Sequence, residues 1–226
     1  MIYVVNKKRK IEGIQKEFPD AKILDLTSKA QYAKMLSPFY PHYNIPIPGM
    51  PSHVATCVEA IWQGLKVFEN AGVDYSTYSN DTMTNIKRSV RKYGKPLGHK
   101  FNNELLSYFE ARMKIYLPTY KYVLENVPEV KIILNRIKEY SEEHDIVFLD
   151  YSTNTDVADI SKPLSHAGLV KLYIEGAYPT EDDGIVPMTS EEIEEKRTKE
   201  KEDKKQRLKK AKFREQSIQL SLFDNM

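Results

Sequence analysis

The chain has 226 residues, of which 41% are hydrophobic and 11% aromatic, enough to bury the core of one sizeable domain with extensions. Its single cysteine, Cys57, excludes an intrachain disulfide framework and a cysteine-based zinc site. No apolar run approaches the ~18 residues of a membrane span. In the N-terminal "MIYVVNKKRK" the apolar residues precede the charges, the wrong order for a secretory signal, so we expect a soluble cytoplasmic protein.

The N-terminal segments are typical of a β-α-β unit or the start of a mixed sheet. Ile2–Val5 and Ala21–Leu26 have the composition of short strands, and a helix is predicted around Lys8–Phe18, ended by Pro19. The following stretch, Leu36–Ser52, carries five prolines, which exclude a regular helix. Its aromatic residues favour an ordered loop attached to the core.

The middle of the chain is rich in predicted helices. An apolar pattern predicts a long helix at His53–Ala71, closed by Gly72 as a C-cap. Pro118 and Pro128 are expected to separate later helices. The remaining predicted elements are helices at Thr82–Lys92, Asn103–Leu117, Tyr120–Asn126, Val130–Glu142 and Pro163–Gly176, and a buried strand at Asp145–Ser152.

The composition changes after Tyr178. The segment 181–215 reads as a charged linker or helical arm, in which Ser190–Glu192 could cap a helix. Between positions 196 and 214, eleven basic residues stand against three acidic ones, an excess of +8. The sequence therefore predicts a helix-rich α+β single domain over residues 1–180, with a β-α-β-like start at 1–30, then the charged extension and a terminal peptide at 216–226.

A narrow polar stripe marks the predicted helix around Val58. At ~100° per residue, apolar side chains cover roughly two-thirds of its circumference, and Glu59, Gln63 and Lys66 fall together in the remainder. Two interpretations stay open: a solvated slot with ordinary surface charges, or the wall of a cleft. In a cleft, a carboxylate two turns from an amine perturbs both pKa values. A neutral lysine could then attack an anomeric carbon or a sugar aldehyde, while the glutamate transfers protons or stabilises positive charge.

These residues resemble the NADAR family. The family motif has a "SNFYP"-like segment, then Glu, then Gln four residues later and Lys three after that, matching "SPFYP" at Ser37–Pro41 followed by Glu59, Gln63 and Lys66. Supporting similarity extends the resemblance from Leu36 to Tyr173, in "NNELLSYFEARMKIYLPTYKYVL", "FLDYSTNTD" and "PLSHAGLVKLY". The chain departs from the family at Ala60, where the family has His, in "KVF" for "KF", in lacking a Trp-rich middle segment, and in lacking the final Arg. These departures leave the predicted hydrolytic residues in place and affect the prediction of which leaving group is released.

The resemblance implies a NADAR-like fold and N-glycosidase chemistry on ADP-ribose-like substrates. Some family members act on riboflavin-pathway intermediates, and others remove ADP-ribose from guanine in nucleic acid. By position, Lys66 would be the nucleophile and Glu59 its acid/base partner, while Gln63 and Asp156 would orient the ribose or the leaving base. Asp150 is a further candidate. Asp150 and Asp156 could equally be strand-end and turn-forming residues. The other candidate substrate-binding residues are Ser37, Phe39, Tyr40, Trp62, Arg88, Arg91, Asn154 and His166.

The basic segment Asn85–Lys100 suits phosphate contacts and base stacking, and suits a solvated helix face equally well. The pyrophosphate of an ADP-ribose-like substrate could use the same charges. The five histidines show no metal-ligand spacing, so we expect neither a metal nor a cofactor.

The terminal "QLSLF", Gln219–Phe223, matches the pentapeptide by which many proteins bind the bacterial DNA sliding clamp, and "SLFD" resembles the clamp-binding ends of T-even-like phage replication proteins. In such motifs the residues matching Leu222 and Phe223 fill an apolar pocket, the glutamine matching Gln219 binds at a second site, and Leu220 lies between them. Tethering raises the effective concentration at DNA, and a basic arm adds salt-dependent phosphate affinity.

The sequence thus predicts a DNA ADP-ribosylglycohydrolase that counteracts DNA-ADP-ribosylating toxins in a bacterial or phage-infected cell. Its partners would be ADP-ribosylated DNA, single-stranded by expectation, and a sliding clamp. Two alternatives stay open. One is an N-glycosidase of free nucleotides or a base-modifying enzyme, and the other is a non-catalytic clamp-binding module.

Overall fold

The computed structural model describes the backbone of residues 1–223 and the side chains of residues 1–210 and 213. Over this range the chain forms an α+β domain with a helical C-terminal extension. The strands are β1 (Ile2–Asn6), β2 (Lys22–Asp25), β3 (Ile45–Ile47), β4 (Met50–Ala55), β5 (Lys66–Phe68), β6 (Pro96–Phe101), β7 (Glu104–Leu106) and β8 (Ile146–Asp150). The α-helices are α1 (Ile11–Glu17), α2 (Val58–Gly64), α3 (Val90–Tyr93), α4 (Tyr108–Ala111), α5 (Leu117–Asn126), α6 (Pro128–Glu143), α7 (His166–Ile174) and α8 (Ser190–Phe223).

A parallel three-stranded sheet lies at the base of the domain. The predicted strand–helix–strand start is confirmed, but β1 and β2 do not pair with each other, because β8 lies between them and is parallel to both. All five residues of β8 are buried, as expected for a parallel strand covered on both faces. The carboxyl ends of the three strands therefore lie at one edge, which carries Asn6, Thr27 and Asp150.

The long helix predicted at His53–Ala71 is wrong. The chain is in strand β4 up to Ala55 and forms only the short helix α2, which begins after Cys57, whose Sγ accepts from the backbone N–H of Ala60 at 3.4 Å. Beyond Gly64, backbone pairing of β5 with β6 replaces the helical hydrogen bonds. Lys66 therefore lies on a strand, whereas every residue of α2 is buried.

Two further helix predictions are also wrong in part. Within the predicted helix Thr82–Lys92, Met83 and Asn85 have positive φ angles of 58° and 57°, which interrupt a helix, and only the single turn α3 forms nearby. Within the predicted Asn103–Leu117 helix, the first residues form β7, which pairs with β6. The helical part begins after Ser107, in a capping box with Glu110.

The helix that follows contains a widened turn. A π-helical segment, Arg112–Tyr116, joins α4 to α5, and the helix continues through Pro118. The break predicted at Pro118 is therefore wrong. A proline has no N–H for the carbonyl four residues earlier, and here it directly follows the π turn, where the regular hydrogen-bond ladder is already altered. The break at Pro128 is confirmed, since this residue begins α6.

The C-terminal elements agree better with the sequence. Helix α7 is shorter than the predicted Pro163–Gly176, since it begins after Ser165, whose side chain accepts from the N–H of Gly168. Gly176 follows its end with a φ of +71°. The charged helix predicted near Ser190 is α8, and its capping box pairs Thr189 with Glu192.

Two predictions lie at the limits of the described residues. The side chains of Gln219, Leu220, Leu222 and Phe223, predicted to bind a sliding clamp, lie outside those that the structure describes. Among the helices of the described part, none combines the length and apolar character needed to cross a membrane.

Candidate functional site

A cavity of about 700 Å³ opens at the carboxyl edge of the parallel sheet. Asn6, Thr27 and Asp150 line it from the strand ends, and α2 and the π segment form the opposite side. This edge is where open sheets with parallel strands commonly bind ligands. The cavity also lies within the ~300–1,000 Å³ range of small-molecule sites.

The cavity brings together eight of the predicted site residues. The predicted residues that line it are Ser37, Phe39, Glu59, Trp62, Gln63, Lys66, Asp150 and His166. The predicted residues that do not line it are Tyr40, Arg88, Arg91, Asn154 and Asp156.

Glu59, Gln63 and Lys66 form a hydrogen-bonded row along one wall. Gln63 Nε2 donates to Glu59 Oε1 at 2.9 Å, and Lys66 Nζ donates to Gln63 Oε1 at 3.4 Å. Glu59 is 7% exposed and Gln63 5% exposed, and Lys66 is half-buried, so this row lies in the cavity wall and is not a solvated slot. The Gln63 side chain lies between the two ionisable groups: its amide N–H donates to the Glu59 carboxylate, and its amide oxygen accepts from the Lys66 amine.

The environment of Lys66 favours the neutral amine. Burial lowers the pKa of Lys66, and although Glu59 opposes this, the nearby charges of Lys87 and Arg88 lower it further. The Nζ atom also lies 5.6 Å from the centre of the Trp62 ring. A larger fraction of the amine is therefore unprotonated at a given pH than for a solvated lysine, which is the form that acts as a nucleophile.

Arg88 supports this row from behind. Its backbone N–H donates to Gln63 Oε1 at 3.2 Å, and its Nη1 donates to the carbonyl of Lys66 at 2.6 Å. The guanidinium lies 4.9 Å from the ring centres of both Phe68 and Tyr93. Arg88 was predicted to bind substrate, but these contacts show it fixing the Gln63 amide and β5.

Asp150 and His166 form a buried ion pair on the sheet side. His166 Nδ1 lies 3.1 Å from Asp150 Oδ2, and His166 Nε2 lies 2.9 Å from the carbonyl oxygen of Leu26. Burial disfavours the charged imidazole, but Asp150 and the carbonyl raise the pKa of His166 above its ordinary value. Burial would likewise raise the pKa of Asp150, yet His166 and the Ser165 hydroxyl lower it. Both ring nitrogens face acceptors, so the site holds an imidazolium–carboxylate pair.

Asp156, predicted to orient the ribose, faces the C-terminal helix. Its Oδ2 accepts from Lys196 Nζ at 3.1 Å, and its Oδ1 accepts from the backbone N–H of Ala158 at 2.9 Å. Asn154 is also turned into this segment, where its Nδ2 donates to the carbonyl of Asp159 at 2.9 Å. The carboxylate at the cavity on this side is that of Asp150.

Tyr40 and Arg91 are the two other predicted residues that do not line the cavity. The Tyr40 ring packs on that of His42, with centres 5.0 Å apart. Arg91 is exposed on α3. Neither contacts the Glu59–Gln63–Lys66 row.

Arg112 lines the cavity and was missed in the sequence. Its guanidinium is buried, with the residue 1% exposed, and Nη1 donates to the carbonyls of Val157 at 2.9 Å and Asp159 at 2.8 Å. These bonds fix the segment that continues to Lys162, another cavity-lining residue. Arg112 therefore shapes the rim.

Tyr108 and Tyr116 were also missed. Their rings meet Trp62 edge-on, with centres 5.7 and 5.5 Å away. Burial, followed by the charge of Glu59, raises the pKa of Tyr116 well above its ordinary value, so its hydroxyl stays a donor. Within the described side chains, that hydroxyl has no hydrogen-bond acceptor. The four-residue spacing from Tyr108 through Arg112 to Tyr116 is a sequence signal that could have identified this face.

His99 holds Trp62 from its other side. The two ring centres are 3.8 Å apart, and burial together with the charge of Lys66 lowers the pKa of His99 to about 3. The imidazole is thus neutral at ordinary pH. Among the described residues, no group of three or more His, Cys, Asp or Glu side chains is arranged to hold a metal ion.

Comparison with known proteins identifies the family but no activity. The geometry defines an α+β domain with a cavity lined by a Glu-Gln-Lys row. Residues 6–170 match a family of unknown function, DUF6939, and the chain belongs to that family. No curated protein and no solved structure matches the chain. The matched range contains every residue that lines the cavity and ends before α8.

Proposed function

We propose that this protein is an N-glycosidase that releases ADP-ribose from a DNA base, with guanine as the first base to test. The observation that carries the proposal is the hydrogen-bonded Glu59–Gln63–Lys66 row, whose half-buried lysine has a lowered pKa and lines a cavity of about 700 Å³. The NADAR resemblance of the same three residues supports it, and the NADAR-like identity of the fold is part of the proposal.

In the proposed reaction, the neutral amine of Lys66 attacks the anomeric carbon of the ribose. The bond from that carbon to the base nitrogen breaks, and the base leaves with the electron pair and takes up the proton that the lysine nitrogen loses. Opening of the sugar ring gives a Schiff base on Lys66, which water hydrolyses to release ADP-ribose and restore the amine. Glu59 stabilises the positive charge that develops at the sugar, and Gln63 keeps the carboxylate and the amine apart.

The remaining walls suit the parts of such a substrate. Phe39, Trp62 and Tyr108 offer aromatic surface for a base, and Lys87 and Lys162 offer charge for a pyrophosphate. Lys87 Nζ lies 5.3 Å from the centre of the Phe39 ring, so one charge and one aromatic surface are adjacent.

The choice of DNA over a free nucleotide rests on the C-terminal sequence. Gln219, Leu220, Leu222 and Phe223 form the clamp-binding pentapeptide pattern with Ser221, and they follow a strongly basic segment. A bacterial or phage sliding clamp is therefore the proposed protein partner. An N-glycosidase of free nucleotides or a base-modifying enzyme would use the same cavity, whereas a non-catalytic clamp-binding module would not use Glu59.

The test is release of ADP-ribose from an ADP-ribosylated single-stranded oligonucleotide, followed by mass spectrometry. Lys66→Ala and Glu59→Ala should each abolish release, while Lys131→Ala, at an exposed position of α6, should leave it unchanged. Borohydride should trap a covalent adduct on the wild-type protein and none on Lys66→Ala. Full activity of Lys66→Ala would refute the mechanism.

The same assay separates the alternatives. Release from free nucleotides alone would replace DNA as the substrate. A double variant, Leu222→Ala/Phe223→Ala, should lose clamp binding yet keep release from the oligonucleotide. If that variant loses all function while Glu59→Ala is silent, the protein is a binding module.

A further inference from the structure

We propose that the outward face of α8 binds the sugar-phosphate backbone of a nucleic acid strand and passes that strand to the rim of the cavity. This inference rests on the proposed function, because a strand needs to reach the cavity only if the substrate is a modified base in DNA. Its first support is the way α8 is attached to the domain.

One side of α8 is bound to the domain by polar contacts. Lys196 Nζ lies 3.1 Å from Asp156 Oδ2, and Arg207 Nε lies 3.3 Å from Glu17 Oε1. Between them, Glu200 Oε2 lies 3.7 Å from Lys162 Nζ. At ~100° per residue, positions 196, 200 and 207 share one face of a helix. The orientation of α8 about its own axis is thus set, and the opposite face is turned to solvent.

The solvent side of α8 is cationic. Among the described residues, a shallow groove on that side is lined by Lys201, Lys204, Lys205, Lys209 and one apolar residue, Leu208. All four lysines are exposed, and within the described side chains none of them pairs with a carboxylate. The intervening acidic residues, Glu202 and Asp203, lie outside this groove.

The side chains of this groove favour nucleic acid over a membrane surface as the anionic partner. A helix that lies on a membrane needs a continuous apolar face, whereas Leu208, 39% exposed, is the only apolar residue among the described residues that line the groove. Lysines at 201 to 209 extend over ~12 Å at ~1.5 Å per residue. Nucleic acid offers a phosphate every ~3.4 Å along each strand of a duplex, so such a row meets several phosphates. Lysine ammonium groups that contact phosphates position a strand without reading its sequence.

The position of this face relative to the cavity gives it a role. Lys162 both lines the cavity and pairs with Glu200, so the cationic face begins one residue beyond a contact with the cavity rim. A strand held along α8 therefore has a neighbouring nucleotide beside the cavity opening. The surface holds the polymer, and the cavity takes the modified nucleotide.

The test is binding of the full chain to an unmodified, fluorescently labelled single-stranded oligonucleotide, measured by anisotropy at several salt concentrations. The variant replaces Lys201, Lys204, Lys205 and Lys209 by Gln, which keeps helix propensity. Four phosphate contacts correspond to a slope of about −2.8 in log K against log salt, or about 50-fold in affinity between about 50 and 200 mM salt. We expect the variant to lose most of this slope and to bind at least about tenfold more weakly at low salt.

The matched control removes four exposed lysines elsewhere, by Lys10→Gln, Lys29→Gln, Lys131→Gln and Lys138→Gln, with the same change in net charge. This control should bind like the wild type. Equal affinity and slope in the α8 variant would overturn the inference, as would binding to anionic phospholipid vesicles but not to the oligonucleotide. Because Lys66→Ala should bind the unmodified strand normally, loss of activity and loss of strand binding are separate results.

Discussion

The buried pair of Asp150 and His166 allows a sharp prediction about stability. In Asp150→Asn, the imidazolium loses its carboxylate partner at 3.1 Å while its environment stays buried. Removing one partner of a buried ion pair costs about 3–5 kcal/mol of the free energy of unfolding. The asparagine keeps the volume, but Asp150 also accepts from the Ser165 hydroxyl at 2.7 Å and from the backbone N–H of Tyr151 at 2.6 Å, so part of the loss is independent of the charge on His166.

The loss should depend on pH in a defined direction. The pKa of His166 is raised in the folded state, so its contribution is complete below the unfolded-state pKa of about 6.5 and is lost as pH rises through the folded value. The pKa of Asp150 is lowered, so its contribution is complete above about 3.9 and is lost as pH falls through the folded value. The pair therefore stabilises the fold most between about pH 4 and 6.5.

The assay is urea unfolding followed through the fluorescence of the single tryptophan, Trp62, at a pH inside this window and at a strongly alkaline pH. Asp150→Asn should lose about 3–5 kcal/mol inside the window, equivalent to about 10 °C in Tm, and clearly less at alkaline pH. Asp182→Asn, at an exposed position, serves as the control. An equal loss at both pH values would refute the charged pair.

Three other predictions concern the cavity and its support. The kcat/KM of the proposed reaction should rise with pH through a pKa below the ordinary 10.5 of lysine, because burial lowers the pKa of Lys66, and a pH–rate profile measures it. Tyr116 lines the cavity and its hydroxyl has no acceptor among the described side chains, so we expect the hydroxyl to contact the substrate; Tyr116→Phe should reduce kcat/KM about tenfold and leave the midpoint of urea unfolding unchanged. Gly64→Ala should destabilise the fold by about 1–3 kcal/mol in urea unfolding, since a Cβ there would lie 2.4 Å from both Thr77 Oγ1 and Tyr78 Cε1.

Each of these has an outcome that contradicts it. A profile that reports an ordinary lysine pKa would mean that the amine of Lys66 is solvated. Wild-type kinetics in Tyr116→Phe would remove its hydroxyl from substrate contact. Unchanged stability in Gly64→Ala, compared with Gly13→Ala, where a Cβ meets nothing within 4 Å, would show that the close contact can relax.

The parts of the fold that the sequence predicts well are those in which one periodicity dominates. The short apolar run of β8, buried throughout, and the apolar face of α6 are clear. The stretch from His53 to Ala71 is apolar on most sides, and such a pattern fits a buried helix and buried strands equally, so backbone pairing of β5 with β6 decides the outcome. The row at the cavity survives this error, because Glu59 and Gln63 lie on one face of α2 and Lys66 comes just after the helix ends.

The site residues that were misplaced or missed depend on distant parts of the chain. Asp150 and Asp156 are both polar residues near the end of β8, and Lys196, far along the chain, binds the second of them. Arg112 and Tyr116 belong to a π turn, whose hydrogen bonds shift by one residue relative to an α-helix. The four-residue spacing of Tyr108, Arg112 and Tyr116 groups them on one face, but the spacing does not show that this face lines the cavity.

The position of β8 between β1 and β2 also determines when the parallel sheet can form during folding. During synthesis β1 and β2 leave the ribosome first, and both lack a pairing partner until Ile146–Asp150 follows, because β1 pairs Ile2 with Ile146 and β2 pairs Lys22 with the same residue. Contacts at such separation in sequence slow folding and leave strand edges exposed for longer. The pairing that completes the sheet also places Asn6 opposite Asp150, so this edge of the cavity forms only once β8 has paired with β1.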